Sequence, residues 1–274
     1  MISFPVAKIN LGLRVLYQRP DLYHAIESVF YPVGIHDILE IIPSPDGRFS
    51  FTSSGIPVPV EPENNLITKA YRTMKEVYDL PDVHIHLHKS IPMGSGTGGG
   101  SSDASCTLAM MDSIFNLDLS LDTLQSLALT IGSDCPFFVD PKPSLVTGRG
   151  EIVEPIPVDL STYDILLVFT GISISTKEAY MKVHPVEGRE PLKDLIMGTV
   201  DQWKDNITND FEVSVFSKYP EIERIKQQLY TAGAVYASLT GSGSAVYGIF
   251  KPEFDTAFLP KHYNTYLCKA GSRA

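Results

Sequence analysis

The stretch at 89–105, KSIPMGSGTGGGSSDAS, constrains this chain more than any other, because five glycines and three serines fall within positions 94–102. Before it, VHIHLHK alternates apolar and polar residues as a strand does. After it, SSDASCTLAMMDSIF has the apolar content of a buried helix. A glycine-rich turn between strand and helix lets backbone N–H groups approach an anion, and the helix N-terminus adds partial positive charge. The residues therefore favour a phosphate site over a flexible surface loop. A Walker A loop is excluded, since no lysine follows the glycines. Gly94, Gly96 and Gly99 satisfy G-x-G-x-x-G. However, a dinucleotide site also needs a second strand ending in an acid about 20 residues on, and Asp118 falls between two expected helices.

Periodicity organises the rest. Ile9, Leu11, Leu13 and Val15 alternate with Lys8, Asn10, Gly12 and Arg14, which predicts a half-buried strand with Lys8 and Asn10 on its polar face. Residues 25–33 and 36–42 read as strands, with a hairpin-like stretch near 48–52. NNLITKAYRTMKEVYDL has helical spacing behind an asparagine cap and stops at Pro81; SLDTLQSLALTIG reads as a further helix. Beyond the proline-rich turns at 141–143 and 155–157 come a buried strand, YDILLVF, helices near 176–183, 191–200 and 219–231, paired strands VYASLT and SAVYGIF, and a last strand near 262–270. This order suggests an α+β, ferredoxin-like second domain, with the boundary placed at 1–155 and 156–274.

Composition narrows the function. A net charge of −10 argues against a general nucleic-acid binder, which needs a basic face. Cys106, Cys135 and Cys268 are scattered and lack metal-ligand spacing, as in a reduced intracellular protein. The N-terminal stretch has no basic n-region, and no segment approaches the roughly 20 apolar residues of a membrane span, so a cytoplasmic location is expected. His84, His86 and His88 share one strand face, and we read them as an ordinary polar face in preference to a zinc site.

The loop IPMGSGTGGGSSDAS resembles the phosphate loop of the GHMP kinases, which bind ATP without a Walker motif. PVAKINLGLRV and LTGSGSAVYGIF fit the same family. AKINLGL, RPDLYHAIES, ENNLI, the glycine loop, IGSDCPFF and TGRGE follow in the order of one branch, whose acceptor is a small cytidine diphosphate. Thr97 stands where that branch usually has leucine. The resemblance implies a two-domain α+β GHMP kinase fold, with a ribosomal-protein-like N-terminal domain and a ferredoxin-like C-terminal one. It also implies ATP as donor and magnesium as its companion. Metal ligands are not assigned; Ser101, Ser102 and Asp103 are candidates only. No nucleic-acid or membrane partner is expected.

By the same resemblance, Asp134 takes the proton of the acceptor hydroxyl and Lys8 holds that hydroxyl and the aspartate. ATP is assigned to Asn65, Pro92, Met93, Gly94, Ser95, Gly96, Thr97, Gly98, Gly99, Gly100, Ser101 and Ser102, with Gly241 and Ser242 in support. Tyr23 is expected to stack on the cytosine while His24 reads its edge. Tyr180 would supply the second stacking face, and Asn10 and Thr176 polar contacts. Taken singly, a turn aspartate, a solvated strand lysine and a loop-closing Tyr-His pair are the commoner readings; the glycine loop makes the catalytic one the better account. The competing functions are another small-molecule kinase, acting on homoserine, mevalonate or a sugar, and a nucleotide-binding module without catalysis.

Overall fold

Two sets of residues pack as separate units, and neither is continuous in sequence. Unit one comprises Met1–Ala7, Ile35–Met93 and Gly98–Pro141; unit two comprises Lys8–Gly34, Gly94–Thr97 and Lys142–Ala274. The computed structural model describes residues 1–181, 183, 185–186, 188–252, 254 and 262–271, with Pro62 and Thr176 described by backbone alone. In chain order the elements are β1 (Ile2–Ser3), β2 (Val6–Gln18), β3 (His24–His36), β4 (Ile38–Pro43), β5 (Ser50–Gly55), α1 (Leu66–Tyr78), β6 (Val83–Lys89), α2 (Gly99–Phe115), α3 (Leu121–Ile131), α4 (Cys135–Val139), β7 (Ser144–Thr147), β8 (Ile152–Pro155), β9 (Asp164–Phe169), α5 (Thr176–Tyr180), α6 (Leu192–Ile196), α7 (Val200–Asn206), α8 (Phe211–Lys218), α9 (Pro220–Thr231), β10 (Tyr236–Leu239), β11 (Val246–Phe250) and β12 (Asn264–Cys268).

Unit one is a sheet of order β1-β4-β6-β5 with helices packed on it. In β6, Val83, Ile85 and Leu87 turn inward while His84, His86 and His88 occupy the more exposed register. The inward residues meet Leu39 and Ile41 of β4, Ile67, Ala70 and Met74 of α1, and Leu108 and Met111 of α2. Each such side chain, fully buried, contributes roughly 1.5–3 kcal/mol. Helix α1 begins where Asn65 Oδ1 accepts from Ile67 N at 2.8 Å and ends at Asp79, whose φ is 50°. The hairpin expected near 48–52 is absent: β5 runs parallel to β6. The intervening α1 supplies the crossover that a parallel pair requires.

Unit two contains two sheets. The first has order β2-β3-β7-β8 and joins strands from near the chain's start to strands beyond 142, so a single cut at 155 does not describe the packing. Strand β2 also departs from the half-buried expectation, since Lys8, Asn10 and Arg14 are as buried as their apolar neighbours. Each has hydrogen-bonding partners that make this burial tolerable. The second sheet, β10-β11-β9-β12, is antiparallel throughout, the ferredoxin-like order expected. Phe211 and Val215 of α8 and Ile222, Ile225 and Leu229 of α9 pack with Leu166, Val168, Leu239 and Val246 of that sheet. The helix expected over 191–200 divides, because Thr199 and Gln202 form a capping box that starts α7. Helix α8 was not anticipated. Among the described residues, no helix is long and apolar enough to cross a membrane.

Candidate active site

The glycine run is shared between the units, with Gly94–Thr97 in unit two and the residues from Gly98 in unit one. In unit one, Gly98 caps α2 at φ 74°, a left-handed conformation that favours glycine. The first N–H groups of α2, including those of Gly99, Gly100 and Ser101, have no acceptor one turn back within the helix. A Cβ on Gly99 would come within 2.9 Å of Ile91 Cγ2 and 3.0 Å of Lys89 Nζ, so the helix start fits closely against the end of β6.

Behind that start lies a buried charge cluster. Lys89 Nζ donates to Asp37 Oδ2 at 2.5 Å and to Asp103 Oδ2 at 2.7 Å. Asp37 Oδ1 also accepts from the N–H groups of Ser90 at 2.6 Å and Ile91 at 2.9 Å. The cluster therefore ties the residues leading into the loop to the helix leaving it. Burial pushes the Asp103 carboxyl up to about 7, with Lys89 opposing the shift and Asp37 adding to it. Among the described residues, the second oxygen of Asp103 has no hydrogen-bond partner. Beside the cluster, a groove of about 410 Å³ is lined by Val58, Val60, Asn65, Leu66, Met93 and Gly100, and by Lys89 and Asp103 themselves. Three residues assigned to ATP, Asn65, Met93 and Gly100, thus share one cavity wall. Asp134 is half-buried at the start of α4, its side chain making no cap hydrogen bond. Ser105 Oγ anchors this corner by donating to Cys135 O at 2.7 Å. Burial pushes the thiols of Cys106 and Cys135 up to about 11, which makes them poor nucleophiles.

In unit two, Lys8 Nζ donates to Asn10 Oδ1 at 2.7 Å and to the Gly96 carbonyl at 2.8 Å, and lies 4.7 Å from the centroid of the Phe30 ring. Asn10 is fully buried. Its Nδ2 donates to Ser28 Oγ at 2.8 Å, and its Oδ1 also accepts from Gly241 N at 2.7 Å and Thr240 Oγ1 at 3.1 Å. A residue so engaged holds its neighbours in place. The loop is pressed against the 240–243 turn: a Cβ on Gly96 would lie 2.0 Å from Thr240 O, and one on Gly241 2.9 Å from Gly96 O. Thr97 is buried, with its hydroxyl 2.7 Å from that of Ser95, so a threonine seats here with a polar partner.

Of the rings expected to hold a pyrimidine, two stack on each other. His24 stacks on Tyr180, with centroids 4.5 Å apart and planes at 17°, and Tyr180 meets Phe211 edge-on. Tyr23 is 53% exposed, and the Arg149 guanidinium lies 4.9 Å from its ring centroid. The Tyr180 face assigned to the base thus carries His24. Thr176 begins α5, and its side chain lies outside the described residues. Sequence reasoning missed Asp37, Lys89, Ser28 and Asn209. For Lys89 a signal existed, because it continues the inward register of Val83, Ile85 and Leu87.

The chain matches two family models, GHMP kinases N terminal domain over residues 65–140 and GHMP kinases C terminal over residues 192–263. A relative from Azobacteroides pseudotrichonymphae, named 4-diphosphocytidyl-2-C-methyl-D-erythritol kinase, is 50% identical over 93% of this chain and 95% of its own. One of the same name from Bacteroides thetaiotaomicron is 47% identical over 92% and 93%. Among solved structures, a 4-(cytidine 5'-diphospho)-2C-methyl-D-erythritol kinase superposes with TM-score 0.77 at 28% identity, covering 91% of this chain and 90% of that one. The mevalonate kinase of Methanococcus jannaschii gives 0.72 at 14% identity over 98% of each, a likeness of fold. Both halves of the family pattern and near-full-length relatives of one name agree, and this chain belongs to the GHMP kinases, in the 4-diphosphocytidyl-2-C-methyl-D-erythritol kinase branch.

Proposed function

We propose that this small-molecule kinase transfers the γ-phosphoryl group of ATP to the 2-hydroxyl of 4-diphosphocytidyl-2-C-methyl-D-erythritol, a step of the non-mevalonate route to isopentenyl diphosphate. The observation that carries this reading is the 50% identity, over 93% of the chain, to a relative of that name. Neighbours that act on mevalonate share the fold at 14% identity and do not favour their own acceptor.

Phosphoryl transfer asks a protein for alignment, charge stabilisation and a group to orient or deprotonate the nucleophile. The glycine run and the first N–H groups of α2 would receive the phosphates. The groove lined by Asn65, Leu66 and Met93 would take the base of ATP. Asp134 would accept the proton of the acceptor hydroxyl, and Lys8 would hold that hydroxyl while its charge stabilises the transferring group. Asn10 would orient Lys8. Tyr23 would stack on the cytosine and His24 would read its edge, with Tyr180 seating the imidazole. Magnesium would enter with the nucleotide phosphates, since the residues of this chain do not fit a dedicated cage. Asp103 is committed to Lys89, Ser102 is buried, and among the described residues no group of three His, Cys, Asp or Glu side chains could hold an ion. A cytoplasmic enzyme with two small-molecule substrates is the corresponding picture.

Removing a general base costs about 10²- to 10⁴-fold in rate. Asp134→Asn should therefore lose nearly all ADP release with the cytidine substrate while remaining folded and binding ATP. Near-normal turnover would refute the assignment. Turnover of homoserine or mevalonate by the unaltered protein, with none of the cytidine substrate, would refute the function.

A further inference from the structure

In unit two, Asn209 lies between α7 and α8, 1% exposed, where the chain bridges Leu13 of β2. Its Nδ2 donates to the carbonyls of Leu239 and Gly241, both at 2.9 Å, and its Oδ1 accepts from Phe211 N at 3.0 Å. Both amide hydrogens and the oxygen are in use. The start of α8 needs only the Oδ1 bond; the two Nδ2 bonds serve the turn that follows β10. Glu212 holds that region as well, accepting from Leu239 N at 3.0 Å and Ser238 Oγ at 3.2 Å, with Lys226 Nζ balancing its charge at 2.7 Å.

The other side of the turn reaches the acceptors of Lys8. Gly241 N donates to Asn10 Oδ1 at 2.7 Å, and Thr240 Oγ1 lies 3.1 Å from Asn10 Oδ1 and 3.2 Å from the Gly96 carbonyl. Those are the two oxygens to which Lys8 Nζ donates. Backbone is packed on backbone, as the 2.0 Å approach of a Cβ on Gly96 to Thr240 O indicates, so a shift of the turn is passed to the loop.

We propose that Asn209 is a positioning residue for Lys8: by pinning the carbonyls of Leu239 and Gly241 it fixes Asn10 and Gly96, and through them the ammonium. This role rests on Lys8 being the group that holds the acceptor hydroxyl. A displacement of about 1 Å at a reacting group costs on the order of 10²-fold in rate, which is why a residue outside the chemistry can govern it.

Asn209→Asp keeps the shape and the Oδ1 acceptor but loses both donors. It should lower kcat about tenfold or more per folded molecule, with the KM values for ATP and for the cytidine substrate within about twofold; a buried carboxyl facing two carbonyls also lowers the melting temperature, so turnover is measured well below it. Full kcat in the folded variant would overturn the proposal, as would a rate loss that merely follows the fraction unfolded. Because Asn209 and Asn10 act on one ammonium, Asn209→Asp combined with Asn10→Ala should be no slower than the slower single variant; losses that multiply would also overturn it. If Asn209→Asp does not fold, Asn209→Ser enters the same comparisons. Lys8→Met, measured alongside, separates the two ideas. An active Lys8→Met refutes the role of the lysine itself, whereas an inactive one beside a fully active Asn209→Asp refutes the positioning role alone.

Discussion

Lys89 and Lys8 are each 2% exposed, one in each unit, and their settings differ in kind. Lys89 donates to the carboxylates of Asp37 and Asp103. Lys8 donates to a side-chain amide and a peptide carbonyl and sits against the Phe30 ring. Carboxylates bind a cation strongly and consume its charge, whereas dipoles and a ring face orient it without doing so. The first arrangement suits a fastener, joining the end of β6 to the start of α2. The second fixes the direction in which a cation points, as the role proposed for Lys8 requires.

The contrast can be broken most directly at Lys89. Lys89→Met would leave Asp37 and Asp103 facing each other without their cation, and stranding a buried charge typically costs about 3–5 kcal/mol. Urea denaturation should therefore show a large loss of stability, while Lys8→Met should show its main loss in turnover. The same profile for both variants would end the distinction.

A pH series sharpens it next. The Asp103 carboxyl is raised from its ordinary 3.8 to about 7 in the fold, so the folded state binds more protons than the unfolded one between those values. Stability from this group is full below the ordinary pKa and is lost as pH rises through about 7. The urea midpoint of the unaltered protein should fall across that window and then level off, and Asp103→Asn should flatten the curve. Parallel curves would show that Asp103 is not the group that titrates in this window.

The smallest effect is expected at the ring side of unit two. Base stacking is worth about 1–3 kcal/mol, so Tyr23→Ala should raise the KM for the cytidine substrate roughly tenfold and leave that for ATP unchanged. An equal rise in both would mean that Tyr23 supports the fold and not one substrate.

How much of this could be read from the sequence depended on whether a partner was near in the chain. The cap at Asn65 and the alternation of β6 are local, and the structure has them as expected; α1 ends at Asp79, just short of the Pro81 expected to stop it. The parallel pairing of β5 was not legible, because direction is set by the crossover and not by the strand's own residues. Lys8 stood out by its strand and its family block, but its polar strand face was expected to meet solvent. Its partner Gly96, and the Thr240 that bonds its neighbour Asn10, come from distant segments, and without them the burial has no visible reason. The stack of His24 on Tyr180 was likewise hidden. Each residue was named for the substrate, and nothing local says that the two rings meet each other. Asn209 falls where the sequence leads us to expect no element, and only the fold reveals where its two donors go.

Asn10 and Thr240, whose side chains meet, are 230 residues apart in the chain. A ribosome delivers the lysine's strand long before the turn that steadies it. Until residues 240 and 241 are made, the nascent chain therefore carries a polar strand face that lacks part of its partners, and a chain broken off before 240 could not complete the setting of Lys8. Long-range pairing of this kind is slow to form. Recovery of turnover should therefore lag behind recovery of helix signal in refolding, which makes the enzyme's own activity a late marker of its assembly.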